Sequence, residues 1–392
     1  MLGKLDKAIE VLRKQIEVNP YDEYAYNNLG RALRALDKYD EAAQAFQKQI
    51  EINPLDQYAH GNLGALYVDM KKYDQAVKEL ETAVSITPDN AELYLTQGGA
   101  YLYVNQPDQA MQSFDRAVEL APGPPTWNNV AYELAAHRVH LDRAQQYAES
   151  AVSSVAAQLH NISVDHLSQG DVFLGSMMAA FWDTLGWVKF QRGDLEGAEK
   201  YLRAAWDLSE TTVIADHLAQ TYEKQGRKTE AIRTYEQALA SSRTVMQFLV
   251  RAPGAKPPEE APPPPTQPFP ETRKRLSALL GSDTGIDARV NAARSQLSSR
   301  RAIKFRNPRN VQGSADFWVV LTPGPKLETV KFISGKEDLR DYGDQLRVVP
   351  SLQSFPDAAE TKLLRRGVLS CSQLTHECTF VLTPAEDVHS LK

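Results

Sequence analysis

An internal repeat is the feature that most constrains the fold of this chain. The stretch NLGRALRALDKYDEA at residues 28–42 returns 34 residues later as NLGALYVDMKKYDQA at residues 62–76. Apolar residues within each unit fall at helical spacing, and a proline ends each unit because it cannot continue the hydrogen-bond ladder. The residues that keep this period are Pro20, Pro54, Pro88 and Pro122; Ala8, Ala42, Ala76 and Ala110; and Gly30, Gly64 and Gly98. Such a period predicts pairs of short helices that stack on one another.

The small residues of the repeat have a mechanical explanation. The two antiparallel helices of a unit must cross, and only a small side chain at the crossing lets their backbones approach closely. We therefore expect Gly30 and Ala42 at the crossing of the first full unit. Tyr26, Leu33 and Phe46 are expected to fill the space around it.

The pattern resembles the tetratricopeptide repeat. The residues that carry the resemblance are His60, Leu63, Gly64, Tyr67, Ala76, Leu80, Ala83 and Pro88 in one unit and Tyr94, Gly98, Tyr101, Ala110, Phe114, Ala117 and Pro122 in the next. The resemblance implies a mainly α fold, a right-handed α-solenoid over residues 1–241, with a half repeat at 1–20 and about six further repeats. Looser units are predicted at 127–151, 182–205 and 217–240, and residues 152–178 are predicted to be a helical insertion with a loop at SQGD.

The first twenty residues match only the second helix of a repeat. The apolar face of Leu5, Ile9 and Leu12 therefore lacks the helix that would cover it, and we expect it to fray or to associate. Solenoids normally end in capping units with a polar outer face. We accordingly expect the chain to be the C-terminal part of a longer protein, the alternative being a native start whose open face is tolerated or covered by a partner.

Beyond the repeats the composition changes twice. Residues 242–272 are predicted to be a proline-rich linker and residues 273–313 a basic helical segment. Residues 314–392 alternate apolar and polar positions around one helical stretch, which predicts a small α+β domain of order β-β-α-β-β. The predicted elements are strands at 315–322 and 327–335, a helix at 336–349, and strands at 362–372 and 377–384. We expect this domain to fold independently of the repeats.

The C-terminal stretch also has a family resemblance. A glycine-led strand, a strand ending in ISG, a helix and the motif SFPDA before a return strand are similar to the C-terminal domain of TonB-type proteins. The resemblance implies an edge strand that accepts a partner strand through main-chain hydrogen bonds. The order of repeats, linker and small domain also resembles the C-terminal part of bacterial multidomain proteins that carry a transglutaminase-like domain upstream.

Composition and motifs exclude several classes of function. The formal net charge of −6 argues against a general nucleic-acid binder. No apolar run is long enough to span a bilayer. The chain contains no phosphate-binding glycine loop, no HExxH motif and no paired-carboxylate motif. We therefore predict no enzyme activity, no catalytic residues, no cofactor and no metal.

Two cysteines flank QLTHE in the last predicted hairpin. Cys371 and Cys378 would face each other across the strands, within disulfide reach. A disulfide, which suits an oxidising compartment, and two reduced thiols are both open alternatives. A metal site with His376 is a third, although only three ligands would be present. The sequence does not assign a cellular compartment: it would be periplasmic if a signal peptide lies upstream and cytoplasmic otherwise.

The resemblance to tetratricopeptide repeats also implies a binding surface. In such solenoids the first helix of each pair lines the concave face, and Asn28, Asn62 and Asn129 share one position on it. An amide side chain both donates and accepts, so a row of them can hold an extended peptide backbone. The other predicted site residues are Tyr24 and Tyr58, as apolar walls, and Arg31, as a positive charge. The alternative is that the asparagines only satisfy local helix hydrogen bonds.

Two hypotheses of function follow from these observations. The first is a non-enzymatic scaffold that binds a protein or an extended peptide. The second is a regulatory or substrate-recruiting tail of an enzyme whose transglutaminase-like or protease-like catalytic domain lies upstream.

Overall fold

The structure is a computed structural model that describes residues 2–22, 24–241, 269–300, 302–322, 326–347 and 362–383. The predicted linker, apart from residues 269–272, and the SFPDA motif lie outside these ranges. No described helix combines the length and the apolar character needed to cross a bilayer. The chain divides into two compact units, residues 1–139 and residues 140–392.

The first unit consists of helices that pair along the chain. They are α1 (Leu2–Val18), α2 (Ala25–Arg34), α3 (Tyr39–Ile52), α4 (Gln57–Asp69), α5 (Tyr73–Ile86), α6 (Ala91–Tyr103), α7 (Pro107–Leu120) and α8 (Pro124–Ala136). Helices α2 and α3, α4 and α5, and α6 and α7 form three packed pairs. The predicted tandem helix pairs are confirmed.

The small residues stand at the helix crossings, as predicted. A Cβ atom added to Gly30 would lie 2.5 Å from the ring of Phe46, and one added to Gly98 would lie 2.4 Å from the ring of Phe114. Ala42, on the facing helix, has no exposed surface. A side chain at either glycine would push the two helices of its pair apart.

The face of α1 that was expected to lack a neighbour is partly covered. Ile9 is buried in a cluster with Leu29 and Ala32 of α2, and Leu12 packs against the same cluster. These side chains face the following helix pair, which explains why no preceding helix is needed to bury them. The exposed apolar residues of α1 are instead Val11 and Val18.

The second unit contains helices and one sheet. Its helices are α9 (Leu141–His160), α10 (Gln169–Arg192), α11 (Leu195–Leu208), α12 (Thr212–Lys224), α13 (Lys228–Ser241), α14 (Pro270–Leu280), α15 (Ile286–Arg300) and α16 (Tyr342–Leu346). Its strands are β1 (Ala302–Arg306), β2 (Gly313–Thr322), β3 (Lys326–Gly335), β4 (Leu363–Ser372) and β5 (Glu377–Leu382). A 3-10 turn, Glu337–Leu339, follows β3.

The predicted insertion at 152–178 is formed by extensions of two regular helices. Helix α9 continues to His160 and α10 begins at Gln169, so the loop lies between them. The SQGD motif, predicted to be that loop, starts α10 instead. Ser168 and Asp171 form a capping box in which each side chain accepts a hydrogen bond from the backbone of the other residue.

The sheet is antiparallel, with strand order β1-β5-β4-β2-β3. It has one strand more than predicted, because β1 pairs with β5 at one edge. Its residues were assigned to the basic helical segment, whose helices in fact end before residue 301. The apolar positions Ile303 and Phe305 alternate with Lys304 and Arg306, so a strand pattern was present within the run of basic residues.

The two faces of the sheet are covered by different partners. On one face, Phe317 and Val319 of β2 share a buried cluster with Tyr342 and Leu346 of α16. On the other face, Trp318 of β2 joins a cluster that contains the extensions of α9 and α10. The residues of that shared cluster include Val155, Leu159, Val172, Trp318, Val320, Leu321, Leu363 and Leu364. One sheet face is thus part of the helical core. The expectation that the small domain folds independently of the repeats stays a prediction.

Candidate peptide-binding surface

Two consecutive first helices begin with the same aspartate cap. Asp22 accepts hydrogen bonds from the backbone N–H groups of Tyr24 (3.0 Å) and Ala25 (2.9 Å). Asp56 does the same for Tyr58 and Ala59, both at 3.0 Å. Such caps satisfy amide groups that have no partner inside the helix. They fix Tyr24, immediately before α2, and Tyr58, in the first turn of α4, at equivalent repeat positions.

Glutamines from the preceding second helices hold these aspartates in place. Gln15 donates to Asp22 at 2.9 Å, and the buried Gln49 donates to Asp56 at 2.8 Å. The hydrogen bond from Gln15, and then that from the backbone of Tyr24, lowers the pKa of the Asp22 carboxyl. The helix starts that carry the two tyrosines are thus built from the repeat itself.

The three predicted asparagines have different surroundings. Asn28 and Asn129 are exposed, and within the described ranges their side chains make no hydrogen bond. Asn62 is half-buried and donates its amide to Oδ1 of Asn27 at 3.0 Å. Thr96, which holds the place in the third pair, donates to the carbonyl of Glu92 in its own helix. Only Asn28 and Asn129 are therefore available to a ligand without breaking another bond.

The Asn27–Asn62 bond belongs to a recurrent arrangement between successive first helices. In the second unit Asp183 of α10 accepts from Nδ1 of His217 of α12 at 2.9 Å. Asn27 and Asp183 both lie three residues before a crossing glycine, Gly30 and Gly186 respectively. We call this pairing the inter-repeat link.

A third bond of this kind extends the helix pairs beyond the predicted solenoid. Thr272 of α14 donates to Asp216 of α12 at 2.8 Å. Helices α14 and α15 both pack on α13. They thus stack on the last repeat as a further helix pair, although residues 242–268 separate them from it in sequence.

A carboxylate and aromatic rings line the ends of α6 and α8. Glu133 lies 3.8 Å from the position of a Cβ on Gly99, so the missing side chain leaves it room. Burial raises the pKa of the Glu133 carboxyl, while the nearby His137 lowers it. Tyr103 stacks on Tyr73 at 4.2 Å and meets the edge of His137 at 4.7 Å. Sequence reasoning missed this cluster because its members come from three different helices.

His60 occupies the place of a packing aromatic but makes polar contacts. Its Nδ1 lies 2.7 Å from a Glu79 carboxylate oxygen, and its Nε2 lies 3.1 Å from the carbonyl oxygen of Pro54. The hydrogen bond to Glu79 raises the pKa of His60, against the effect of burial. His60 thus links α4 to α5 and to the loop before α4.

The stability of the first unit should consequently depend on pH. A histidine whose folded pKa is raised stabilises the fold fully below its unfolded pKa of about 6.5 and loses that contribution as pH rises through its folded pKa. We expect the difference in unfolding free energy between wild type and His60→Phe to decrease as the pH rises from about 6 to about 8.5. Urea titrations over this range measure it. The Glu79→Gln variant should flatten the difference, and an equal profile for wild type and His60→Phe would contradict the assignment.

Cys371 and Cys378 are direct partners across β4 and β5 and are joined as a disulfide, with α-carbons 4.1 Å apart. Both are buried in the cluster under α16. His376 instead hydrogen-bonds Asn310 at 3.0 Å. No three His, Cys, Asp or Glu side chains among the described residues are placed to hold a metal ion.

The comparisons with known proteins address the fold. Residues 23–54, 67–131 and 215–245 match family models of the tetratricopeptide repeat. No curated protein matches the chain in sequence. A tetratricopeptide repeat protein from Parabacteroides merdae is similar in structure, with 18% identity and a TM-score of 0.50 over 63% of this chain and 91% of that one.

Two further solved structures are similar over parts of the chain. One is the APC/C hetero-tetramer Cut9-Hcn1, with 18% identity and a TM-score of 0.46 over 63% of this chain, which spans only 45% of that one. The other is YrrB, described as a TPR protein with an unusual peptide-binding site, with 21% identity and a TM-score of 0.39 over 55% of this chain and 99% of that one. The segments that match the family models show that the chain contains tetratricopeptide repeats in both of its compact units.

Proposed function

We propose that this chain is a non-enzymatic scaffold that binds an extended peptide or protein segment on its first helices. The surface consists of exposed side chains on or next to three first helices: Tyr24 just before α2, Asn28 and Arg31 of α2, Tyr58 of α4 and Asn129 of α8. We call it the first-helix surface. The observation that carries the proposal is that two amides of the predicted row, Asn28 and Asn129, are exposed without a hydrogen bond among the described residues.

The chemistry of these side chains fits a peptide backbone. A free amide offers a donor and an acceptor, which match the carbonyl and N–H groups of an extended chain regardless of its sequence. Tyr24 and Tyr58 add large apolar surface with a polar tip. Arg31 adds a cation that is exposed and has no partner in the described part of the chain. No observation favours the alternative of a recruiting tail for an upstream enzyme.

Strand addition at the sheet is a secondary part of the proposal. Strand β3 forms one edge of the described sheet, and an edge strand has main-chain groups that a further strand can pair with. Lys331 of β3 donates to the carbonyl of Val164 at 3.0 Å, which holds this strand near the α9–α10 loop. A partner would have to add along the outer edge of β3 without displacing that contact.

The free amides provide the test of the first-helix surface. We expect Asn28→Ala with Asn129→Ala to weaken binding of a peptide selected by display on the full chain by about 1–3 kcal/mol, with stability nearly unchanged. Isothermal titration calorimetry measures the affinity and urea unfolding the stability. Asn62→Ala is the matched control, because it removes an amide already bound to Asn27 and should lower stability more than affinity. Unaltered affinity in the double variant would exclude the amides from binding.

A further inference from the structure

An unusual set of exposed apolar side chains repeats along the first unit. Tyr21 and Tyr24 are 78% and 63% exposed, and their counterparts one repeat later, Leu55 and Tyr58, are 71% and 59% exposed. Single exposed apolar residues are normal, but exposed apolar residues that recur at the same repeat positions point to an interaction surface. Both pairs stand at the start of a first helix, next to the aspartate caps. We call these four side chains, three tyrosines and one leucine, the tyrosine ladder.

The spacing of the ladder is set by two bonds between α2 and α4. Asn62 is bonded to Asn27 at 3.0 Å near the beginning of the two helices, and Arg34 is bonded to Asp69 at 2.6 Å near their ends. The helices therefore lie side by side, with axes about 8–10 Å apart as in packed helix pairs. Tyr24 and Tyr58 occupy equivalent repeat positions, so we expect them to be separated by about this interval.

A polyproline II helix has the same period. It has three residues per turn and rises 3.1 Å per residue, so one face repeats about every 9 Å. Aromatic-lined surfaces bind such helices because proline rings pack flat against the aromatic rings and little entropy is lost. A peptide with proline at every third position could place successive prolines on Tyr24 and Tyr58.

This chain contains a segment with that pattern. In EEAPPPPTQP the prolines Pro262, Pro265 and Pro268 are each three residues apart. Two carboxylates, Glu259 and Glu260, precede them. The ladder has a complementary charge nearby, since Arg31 lies two turns beyond Tyr24 on α2 and has no carboxylate partner among the described residues.

We propose that the tyrosine ladder of one copy binds residues 259–268 of a second copy as a polyproline II helix. This inference rests on the proposed peptide-binding function and names its partner. The segment belongs to residues 242–268, which connect α13 to α14. Helix α14 packs on α13, so the two described helices that flank the segment belong to the same unit. The complex joins the 1–139 unit of one copy to the 140–392 unit of the next.

Complementing variants of the full chain test the proposal. The ladder variant is Tyr24→Ala with Tyr58→Ala, and the proline variant is Pro262→Ala, Pro265→Ala and Pro268→Ala. We expect sedimentation velocity to show that wild type self-associates as its concentration rises. Each variant alone should have a dissociation constant at least about tenfold higher. Mixing the two variants should restore association, because each keeps the surface that the other lacks. Leu374→Ala, which removes a side chain that is 93% exposed elsewhere, should behave as wild type.

A labelled peptide of residues 256–270 separates the remaining outcomes. It should bind the proline variant, and adding the two tyrosine substitutions to that variant should weaken binding about tenfold or more. Monomeric wild type together with peptide binding would show that the segment docks within its own chain, which would overturn the second-copy proposal. In the last outcome, wild type binds proline-free peptides selected by display and fails to bind the peptide of residues 256–270. That result would overturn the inference while leaving the proposed function intact.

Discussion

Replacing Trp318 by alanine is expected to destabilise the whole second unit by about 3–5 kcal/mol, the usual cost of removing a large buried aromatic side chain. Trp318 is 5% exposed and lies in the cluster that joins β2 to the extensions of α9 and α10. The substitution therefore leaves a cavity between the sheet and the helices. Hydrogen exchange should show lost protection at residues 152–160 and 169–178 as well as in β2.

Phe317 provides the matched control, because it is the neighbouring residue and faces the opposite side of the sheet. It is fully buried against the cluster that contains Tyr342 of α16. Phe317→Ala should destabilise the sheet by a similar amount while leaving the exchange of α9 and α10 closer to that of wild type. Unchanged protection of both helices in Trp318→Ala would mean that the sheet folds without them.

The core that the sheet shares with α9 and α10 is the part of the fold that could not be predicted from the sequence. The helix pairs were predictable, because Gly30 and Phe46 meet at one crossing and each unit repeats the same local pattern. The contact of β4 with α10 joins residues more than a hundred positions apart in the sequence, and no local period indicates it. The alternating pattern predicted the strand, yet Trp318 gave no sign of the partner that covers its face of the sheet.

The first strand was missed for a different reason. Ile303 and Phe305 carried the period of a strand, but the neighbouring basic residues suggested a solvated helix. A charge run is compatible with an edge strand, where every second side chain faces solvent. Periodicity was the better guide here than composition.

The candidate site was predictable in part. Tyr24 and Tyr58 were predicted as apolar walls of the binding surface, and the structure adds the aspartate caps that hold them. The three asparagines share one repeat position but not one environment, because Asn27 provides a partner for Asn62. Whether each amide is free depends on the residues of the neighbouring helix. Comparing one repeat position between units cannot show those residues.

Removing the carboxylate of Asp183 should have the largest effect among the polar contacts. Asp183 is 7% exposed and is bonded to His217, also 7% exposed, against which the ring of Trp187 stacks at 4.1 Å. Alanine at position 183 removes this hydrogen bond from a buried ring nitrogen, and we expect a loss of about 3 kcal/mol in unfolding free energy. Urea unfolding of the full chain, followed by tryptophan fluorescence, measures it.

Asp183→Asn is the variant that separates the hydrogen bond from the side-chain volume, because its amide oxygen can still accept from the ring of His217. Asp183→Asn should recover most of the stability that Asp183→Ala loses. If the two variants were equally unstable, the loss would not come from this hydrogen bond. Asn27→Ala, at the corresponding place in the first unit, should cost about 1 kcal/mol, since its partner Asn62 is only half-buried and water can replace the bond. The order of these losses follows burial, as expected if the inter-repeat link is a structural bond between helix pairs rather than part of the surface that binds a ligand.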